Sequence, residues 1–238
     1  MKEGVFDQEA YNAVFFPWAA QIPQPPVYAD MADYALGEGV SLFRVTNTWQ
    51  SDGLWTSPTA DGVLIAAPLY GELFRYVEDA GEDWCKVRYS GGDAYIRKES
   101  GVIETTIQMQ QGMDKRAQIV RNAINCLGCP YLYGGQDPIA GFDCSGFVNT
   151  IMKQAGISVT RTTKTLVKEG TAIDVSQIRP GDLIFFGASE ETVSHVAIYI
   201  GNGQIIHAHS TGYGIRAESW NYKGEAPFRI VNVLGDQN

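Results

Sequence analysis

The hydrophobic pattern changes character twice along this chain. Between about residues 27 and 104, short apolar runs alternate with turns rich in Gly, Asp and Ser. This spacing is typical of strands, and no run in this span carries a helical period. We therefore predict a small all-β barrel. Its candidate strands are residues 63–67, 69–77, 84–89 and 94–97.

A helical period begins after this region and later gives way to strands again. Apolar residues recur at spacings of four and three over residues 113–127, and Gly128 and Pro130 follow as terminators. A second helix is predicted over residues 145–155, before Gly156. The apolar, β-branched runs 182–186, 195–200 and 204–209 then predict strands. Helices followed by strands indicate an α+β fold.

Three parts follow from these patterns. Residues 1–26 form an arm that closes on a proline-rich stretch, residues 27–104 form the barrel, and residues 113–238 form the second domain after a polar linker. No run approaches the roughly 20 apolar residues of a membrane span. Acidic residues precede the first apolar stretch, whereas a secretory leader carries positive charges at that position. Either the protein is not exported, or a leader has been removed.

Charge and cysteine content narrow the classes of function. A net charge of −9 and a pI near 4.8 argue against a nucleic-acid partner. The four cysteines are too few for a disulfide scaffold in 238 residues. Cys126 and Cys129 form a C-x-x-C motif, which could indicate redox chemistry or half of a zinc site. No second ligand pair has suitable spacing, so we favour a helix end at Cys126 and a packing role for Cys129, with no metal.

Cys144 stands where a glycine-rich loop becomes the second predicted helix. A helix N-terminus favours the thiolate, the reactive form of cysteine, through its unpaired N–H groups and its dipole. Gly141 and Gly146 permit close backbone approach around it. The N–H of Cys144 is a candidate donor to a developing oxyanion. Such a nucleophile needs a base, which is commonly histidine.

The chain has three histidines, His195, His207 and His209, all in one predicted hairpin. A two-residue turn at Asn202 and Gly203 would pair residues whose numbers sum to 405 and set His207 on the face opposite His195. A three-residue loop would make the sum 404 and bring His195 and His207 together on one face. Catalysis requires the second register. His209 lies further along that face and is a secondary candidate.

Taken singly, these residues have ordinary interpretations, because a lone cysteine is usually a small apolar residue and a histidine is usually solvated or bound to a carbonyl. Their order and spacing, however, resemble the NlpC/P60 peptidase family. The matching blocks are Tyr-Leu-Tyr-Gly-Gly at 131–135, Phe-Asp-Cys-Ser-Gly at 142–146, Arg-Pro-Gly-Asp-Leu at 179–183, Ser-His-Val-Ala-Ile-Tyr-Ile-Gly at 194–201 and Ile-His-Ala at 206–208.

This resemblance implies a papain-like α+β domain that hydrolyses bonds in peptidoglycan stem peptides. It implies that Cys144 is the nucleophile, His195 the general base and acid, and His207 the residue that orients His195. It implies no metal and no cofactor.

The preceding barrel resembles a bacterial SH3-like module in residues 69–72, 82–87 and 94–96. A module in this position is similar to that of γ-D-glutamyl-L-diamino acid endopeptidases. The resemblance implies a substrate of L-Ala-γ-D-Glu followed by lysine or diaminopimelate, with a free N-terminal L-Ala and release of a dipeptide, as in cell-wall recycling. The implied substrate-binding residues are Tyr70, Tyr133, Asp143, Ser145 and Thr163, with Glu72 as a weaker candidate.

Two positions depart from the family pattern. Tyr133 stands where tryptophan is common, and Arg161-Thr162-Thr163 replaces an Arg-Asp-Ser-like segment. Thr163 can supply the hydroxyl, but Thr162 cannot supply the carboxylate.

Two other functions stay open at this point. One is amidase or acyl-transfer chemistry on a related papain-like fold, and the other is a wall-binding protein without catalysis. We expect a monomer. The compartment, either the cell envelope or periplasm or else the cytoplasm, does not follow from the sequence.

Overall fold

The computed structural model describes residues 41–48, 53–59, 61–105, 114–222, 224 and 226–236. The predicted arm and nearly all of the predicted linker lie outside the described residues. The first described region contains the strands β1 Ser41–Val45, β2 Leu54–Trp55, β3 Leu64–Ala66, β4 Leu73–Asp79, β5 Trp84–Tyr89, β6 Gly92–Arg97 and β7 Gly101–Thr105, with a 3-10 turn at Lys98–Ser100.

The second region contains three α-helices, eight strands and a 3-10 turn among its described residues. The helices are α1 Lys115–Asn125, α2 Cys144–Gln154 and α3 Thr163–Leu166. The strands are β8 Gln136–Asp137, β9 Gly141–Phe142, β10 Thr171–Ala172, β11 Leu183–Phe186, β12 His195–Gly201, β13 Gln204–Ala208, β14 Ile215–Ser219 and β15 Arg229–Asn232, and the turn is Val175–Gln177.

Where the structure describes residues between 41 and 105, they form strands and no α-helix, as the pattern predicts for this span. They enclose an apolar cluster of their own that includes Phe43, Leu54, Phe74, Val87 and Ile96. The likeness of this region to an SH3-like barrel, and the domain boundaries, stay predictions.

The strand predicted at residues 69–77 begins later than expected, at Leu73. Residues 69–72 form a turn instead, in which the Glu72 N–H donates to the Leu69 carbonyl at 3.0 Å. Gly71 has a φ of 79°, a conformation that glycine adopts at low cost. The apolar residues before the strand therefore belong to an exposed turn, with Leu69 half exposed.

Both predicted helices are confirmed, with ends that follow from their capping residues. The side chain of Asp114 accepts from the Ala117 N–H at the start of α1, and the side chain of Asp143 accepts from the Gly146 N–H at the start of α2. The predicted inward face of α2 is buried in full. It consists of Phe147, Val148, Ile151, Met152 and Ala155.

The helices pack against an antiparallel sheet in the order β10-β15-β11-β12-β13-β14. This arrangement confirms the α+β prediction. Besides the two-residue strand β10, the hydrophobic pattern did not predict β14 and β15. Both strands combine charged and apolar residues over a short length, so their pattern resembles that of loops.

The sheet continues from the second region into the first. Ala217 of β14 pairs with Leu73 of β4. Leu42 and Leu73, both almost fully buried, join the apolar cluster that lies between the helices and the sheet. The two regions therefore share a core, although each also has apolar contacts of its own.

This shared core predicts that the two regions unfold together. We expect Leu73→Ala to reduce the free energy of unfolding by about 2–5 kcal/mol, the cost of a cavity in a well-packed core. Hydrogen exchange followed by mass spectrometry should show the same loss of protection in β5 and in β12. Val63→Ala, at an exposed position of the first region, is the control and should change stability by less than about 0.5 kcal/mol. Loosening confined to residues 41–105 would contradict a shared core.

Candidate active site

The hairpin of β12 and β13 adopts the register that catalysis requires. Ile198 pairs with Ile206 and Tyr199 with Ile205, so the residue numbers sum to 404. The turn itself differs from the expected three-residue loop. Gly201 pairs with Gln204 across Asn202 and Gly203, which both have positive φ as in a type I′ turn.

A β-bulge reconciles this short turn with the required register. Between the pairs Tyr199–Ile205 and Gly201–Gln204, β12 has one residue more than β13, and that residue is Ile200. An extra residue shifts the pairing by one position and reverses which side chains face each other. The bulge therefore places His207 on the face of His195.

The two histidines form a hydrogen-bonded pair in a buried position. His195 Nε2 and His207 Nδ1 are 2.7 Å apart. His207 is fully buried and His195 is 7% exposed. The ring of Tyr222 lies 4.5 Å from that of His207 and 6.1 Å from that of His195, between centroids. His209 contacts Ser210 through Nδ1 at 2.7 Å, and its ring is 5.4 Å from that of His207.

Cys144 lies where the loop meets α2, as predicted, but it is the first residue of the helix, one position before the predicted start, and α2 packs against β12 and β13. Its Sγ lies 3.6 Å from Oγ1 of Thr163, the first residue of α3. The close backbone packing expected around it is present. A Cβ at Gly146 would lie 2.0 Å from the carbonyl oxygen of Gly135, so only glycine fits there.

Asp143 and Ser145, the neighbours of Cys144, are tied to Arg161. The Arg161 guanidinium donates to both carboxylate oxygens of Asp143, at 3.0 and 2.9 Å, and to Ser145 Oγ at 2.9 Å. Asp143 also accepts from the backbone N–H groups of Gly134 and Gly146. Burial raises the pKa of Asp143, but Arg161 and these N–H groups outweigh it and hold the pKa below its ordinary value.

The two candidate aromatic residues are exposed. Tyr133 is 89% exposed in the loop before β8, and Tyr70 is 45% exposed in the turn before β4. The turn that carries Tyr70 is fixed to the second region, because Gln204 of β13 donates through Nε2 to the carbonyl of Gly71 at 2.5 Å.

Glu72, the weaker candidate for binding a substrate amine, does not face a groove. It is 1% exposed, and its Oε1 accepts from Arg216 Nη2 at 2.7 Å and from Nε at 2.9 Å. Its Oε2 accepts from the Leu69 N–H. The expectation for Glu72 is wrong, because a buried carboxylate needs such partners and these contacts occupy both of its oxygens.

Arg216 and Glu218 of β14 complete the surroundings of the histidine pair, and the sequence pattern predicted neither of them as a site residue. Arg216 Nε lies 2.9 Å from Glu218 Oε1, and Glu218 Oε2 lies 3.8 Å from His207 Nε2. Both residues are almost fully buried. One signal in the sequence could have found them. Arg216 and Glu218 stand two positions apart in β14 and so face the same side of a strand that pairs with the buried strand β13, where charged residues are unusual.

Cys126 and Cys129 lie at a helix end and against the apolar core. Cys126 caps the C-terminal end of α1 and Cys129 packs against the core, as expected. All four cysteines are free. Among the described residues, no group of three or more His, Cys, Asp and Glu side chains is placed to hold a metal ion. No helix in the described ranges has the length and apolarity needed to cross a membrane.

An α+β fold with a cysteine at a helix start and a buried histidine pair on the sheet is typical of papain-like cysteine hydrolases. Residues 128–230 match the NlpC/P60 family, and this part of the chain is an NlpC/P60 domain.

Two curated relatives from Bacillus subtilis (strain 168) match it at equal identity. The gamma-D-glutamyl-L-lysine dipeptidyl-peptidase is 33% identical over 132 residues, which cover 55% of this chain and 43% of the relative. The bifunctional muramidase/DL-endopeptidase CwlT is 33% identical over 122 residues, which cover 50% of this chain and 37% of the relative. The chain thus spans less than half the length of either relative.

Among solved structures, the NlpC/p60 domain of the peptidoglycan hydrolase SagA is 41% identical. The match covers 49% of this chain and 97% of that domain, with a TM-score of 0.45.

The ion pair of Asp143 and Arg161 predicts a pH-dependent contribution to stability. We expect Arg161→Gln to reduce the free energy of unfolding at neutral pH by about 1.5–3 kcal/mol, because it removes charged hydrogen bonds. The pKa of Asp143 is depressed in the folded protein, so its contribution is present above the unfolded-state pKa and is lost as the pH falls. The difference from the wild type should therefore shrink below about pH 4.

Urea denaturation at a series of pH values measures this difference. Arg88→Gln is the control, because Arg88 forms an exposed ion pair with Asp93 and should cost less than about 1 kcal/mol. A loss at Arg161 that is independent of pH would contradict the assigned role of the ion pair.

Proposed function

We propose that this protein is a cysteine peptidase that hydrolyses the bond between γ-D-Glu and the diamino acid in peptidoglycan stem peptides. The observation that carries the proposal is the buried hydrogen bond between His195 and His207, on strands against which the Cys144 helix packs. The family match of residues 128–230 supports it. The names of the two relatives supply the substrate class.

In the proposed mechanism, His195 takes the proton of the Cys144 thiol and the thiolate attacks the γ-carbonyl carbon of D-Glu. The N–H of Cys144 donates to the oxyanion that forms. When the C–N bond breaks, His195 gives its proton to the amine of the diamino acid, which leaves. His195 then deprotonates a water molecule that attacks the thioester, and release of the γ-carboxylate restores the thiol.

His207 has the role of orienting His195 in this proposal. If His207 Nδ1 accepts the hydrogen bond, His195 carries its proton on Nε2 and keeps a lone pair on Nδ1 for the thiol. Burial protects this bond from competition by water.

Tyr70 is the proposed wall at the N-terminal end of the substrate. Its turn is fixed to β13, the strand of His207, through Gln204 and Gly71. Because this turn belongs to the first region, that region would contribute to the groove and favour a short substrate with a free N-terminus. Tyr133, Ser145 and Thr163 are the further proposed contacts, together with Asp143, whose carboxylate would be shared with Arg161.

The first test is product analysis by mass spectrometry with free L-Ala-γ-D-Glu-diaminopimelate and its N-acylated form. We expect dipeptide release from the free peptide, little from the acylated one, and none from either with Cys144→Ala. Cys129→Ala is the matched control, because it removes another free, half-buried thiol, and should keep activity. Cleavage of both peptides would favour a DL-endopeptidase of intact wall. Activity in Cys144→Ala would contradict the proposed nucleophile.

The second test concerns the orienting residue. We expect His207→Ala to lower kcat by about 10²–10⁴-fold with a smaller change in KM, because the base loses its orientation and its tautomer. His207→Asn should keep more activity, since an amide oxygen can accept from His195 Nε2, as asparagine does in papain-like proteases. Steady-state kinetics on the free peptide measures both variants. Equal activity of His207→Ala and the wild type would rule out the orienting role.

A further inference from the structure

A row of buried charges continues from the histidine pair into the first region. His207 Nε2 faces Glu218 Oε2 at 3.8 Å, and Oε1 of Glu218 forms an ion pair with Arg216, 2.9 Å from its Nε. Arg216 in turn donates to Glu72 through Nε and Nη2. All four residues are at most 7% exposed. Removing this many charged groups from water costs free energy of folding, so we ask what these residues contribute to the site.

The two carboxylates beside Arg216 are not equivalent. Burial raises the pKa of Glu72 to about 7, even though Arg216 opposes the shift. Burial also raises the pKa of Glu218, but His207 and Arg216 outweigh it and leave the pKa below its ordinary value. Glu218 is therefore ionised at neutral pH and carries its negative charge next to the imidazole of His207.

We propose that Glu218 is a positioning residue for the catalytic histidines, which keeps the proton of neutral His207 on Nε2. The separation of 3.8 Å is an ion-pair distance and exceeds that of a hydrogen bond, so the effect is electrostatic. A negative charge beside Nε2 favours an N–H there and leaves the lone pair on Nδ1. His207 Nδ1 is then the acceptor for His195 Nε2–H. The expected effect of Glu218 on kcat rests on the proposed function, whereas its expected effect on the tautomer of His207 does not.

The substitution Glu218→Gln tests this assignment because an amide has one oxygen and one NH₂ group. The oxygen should stay with the Arg216 guanidinium, which only donates. The NH₂ group then faces His207 Nε2, which becomes an acceptor. The proton of His207 moves to Nδ1, where it opposes Nε2–H of His195 and breaks the hydrogen bond.

The spectroscopic readout is nitrogen NMR of the protein labelled with ¹⁵N in its imidazole rings, measured above neutral pH. The chain has three histidines, so single substitutions assign each ring. We expect wild-type His207 to be protonated on Nε2 and the Glu218→Gln variant to shift toward protonation on Nδ1. Protonation of wild-type His207 on Nδ1 would overturn the proposal, whether or not the variant folds.

The matched control is Glu72→Gln, which removes a carboxylate from the other side of Arg216 without facing His207. If Glu218 acts through His207, the tautomer changes only in Glu218→Gln. The kcat of that variant should then fall about 10–100-fold below that of Glu72→Gln, with KM within about threefold. If the charges serve stability alone, both variants should lose thermal stability and kcat to the same degree, and neither should change the tautomer.

Failure of the proposed function gives a different result. A wild-type protein that cleaves none of the peptides but has His207 protonated on Nε2, with the shift in Glu218→Gln, would contradict the peptidase assignment and retain the positioning role of Glu218.

Discussion

The 2.7 Å hydrogen bond between His195 and His207 requires β12 and β13 to pair in one particular register. A shift by one residue would turn His207 to the other face of the sheet and leave His195 without this partner. The short turn at Asn202 and Gly203 favours the wrong register, and the bulge at Ile200 restores the right one. The hairpin alone does not bring the two histidines together, because the bulge at Ile200 decides which face of the sheet His207 lies on.

The second constraint is the contact between the two regions. Ala217 pairs with Leu73, Arg216 binds Glu72, and Gln204 binds the Gly71 carbonyl. Each contact joins β13 or β14 to the segment around the start of β4. The strands next to His207 are thus held by the first region, and the turn that carries Tyr70 is held by the second. In this account the first region supports the histidine pair and also forms one wall of the groove.

Much of this arrangement could be predicted from the sequence because it follows from local patterns. The apolar period and the terminal glycine predict α2 with Cys144 at its start, whereas the capping contact of Asp143 emerges only from the structure. The two registers of the hairpin could be enumerated, and the need for catalysis selected the one observed. The bulge could not be predicted, because a turn at Asn202 and Gly203 alone favours the other register and nothing in the local pattern marks Ile200 as the extra residue.

The charged surroundings of His207 could not be predicted from the sequence, because they join residues that are far apart along the chain. Glu72 and Glu218 are 146 positions apart and meet only through Arg216 in the folded protein. From the sequence, Glu72 is a residue of a predicted strand beside Tyr70 and a candidate for binding a ligand, whereas long-range ion pairing makes it part of the interior. The substitution of Thr162 for the carboxylate of the family pattern was visible, but not the bidentate pairing of Arg161 with Asp143.

The most direct test of the central claim is a crystal structure of the Cys144→Ala variant with L-Ala-γ-D-Glu-diaminopimelate bound. The account predicts that the γ-carbonyl carbon of D-Glu lies about 3–3.5 Å from the position that the thiolate would occupy. Its oxygen should face the N–H of residue 144, with His195 beside the scissile nitrogen and the L-Ala end against Tyr70. A peptide bound away from residue 144, or with another carbonyl at that position, would contradict the account.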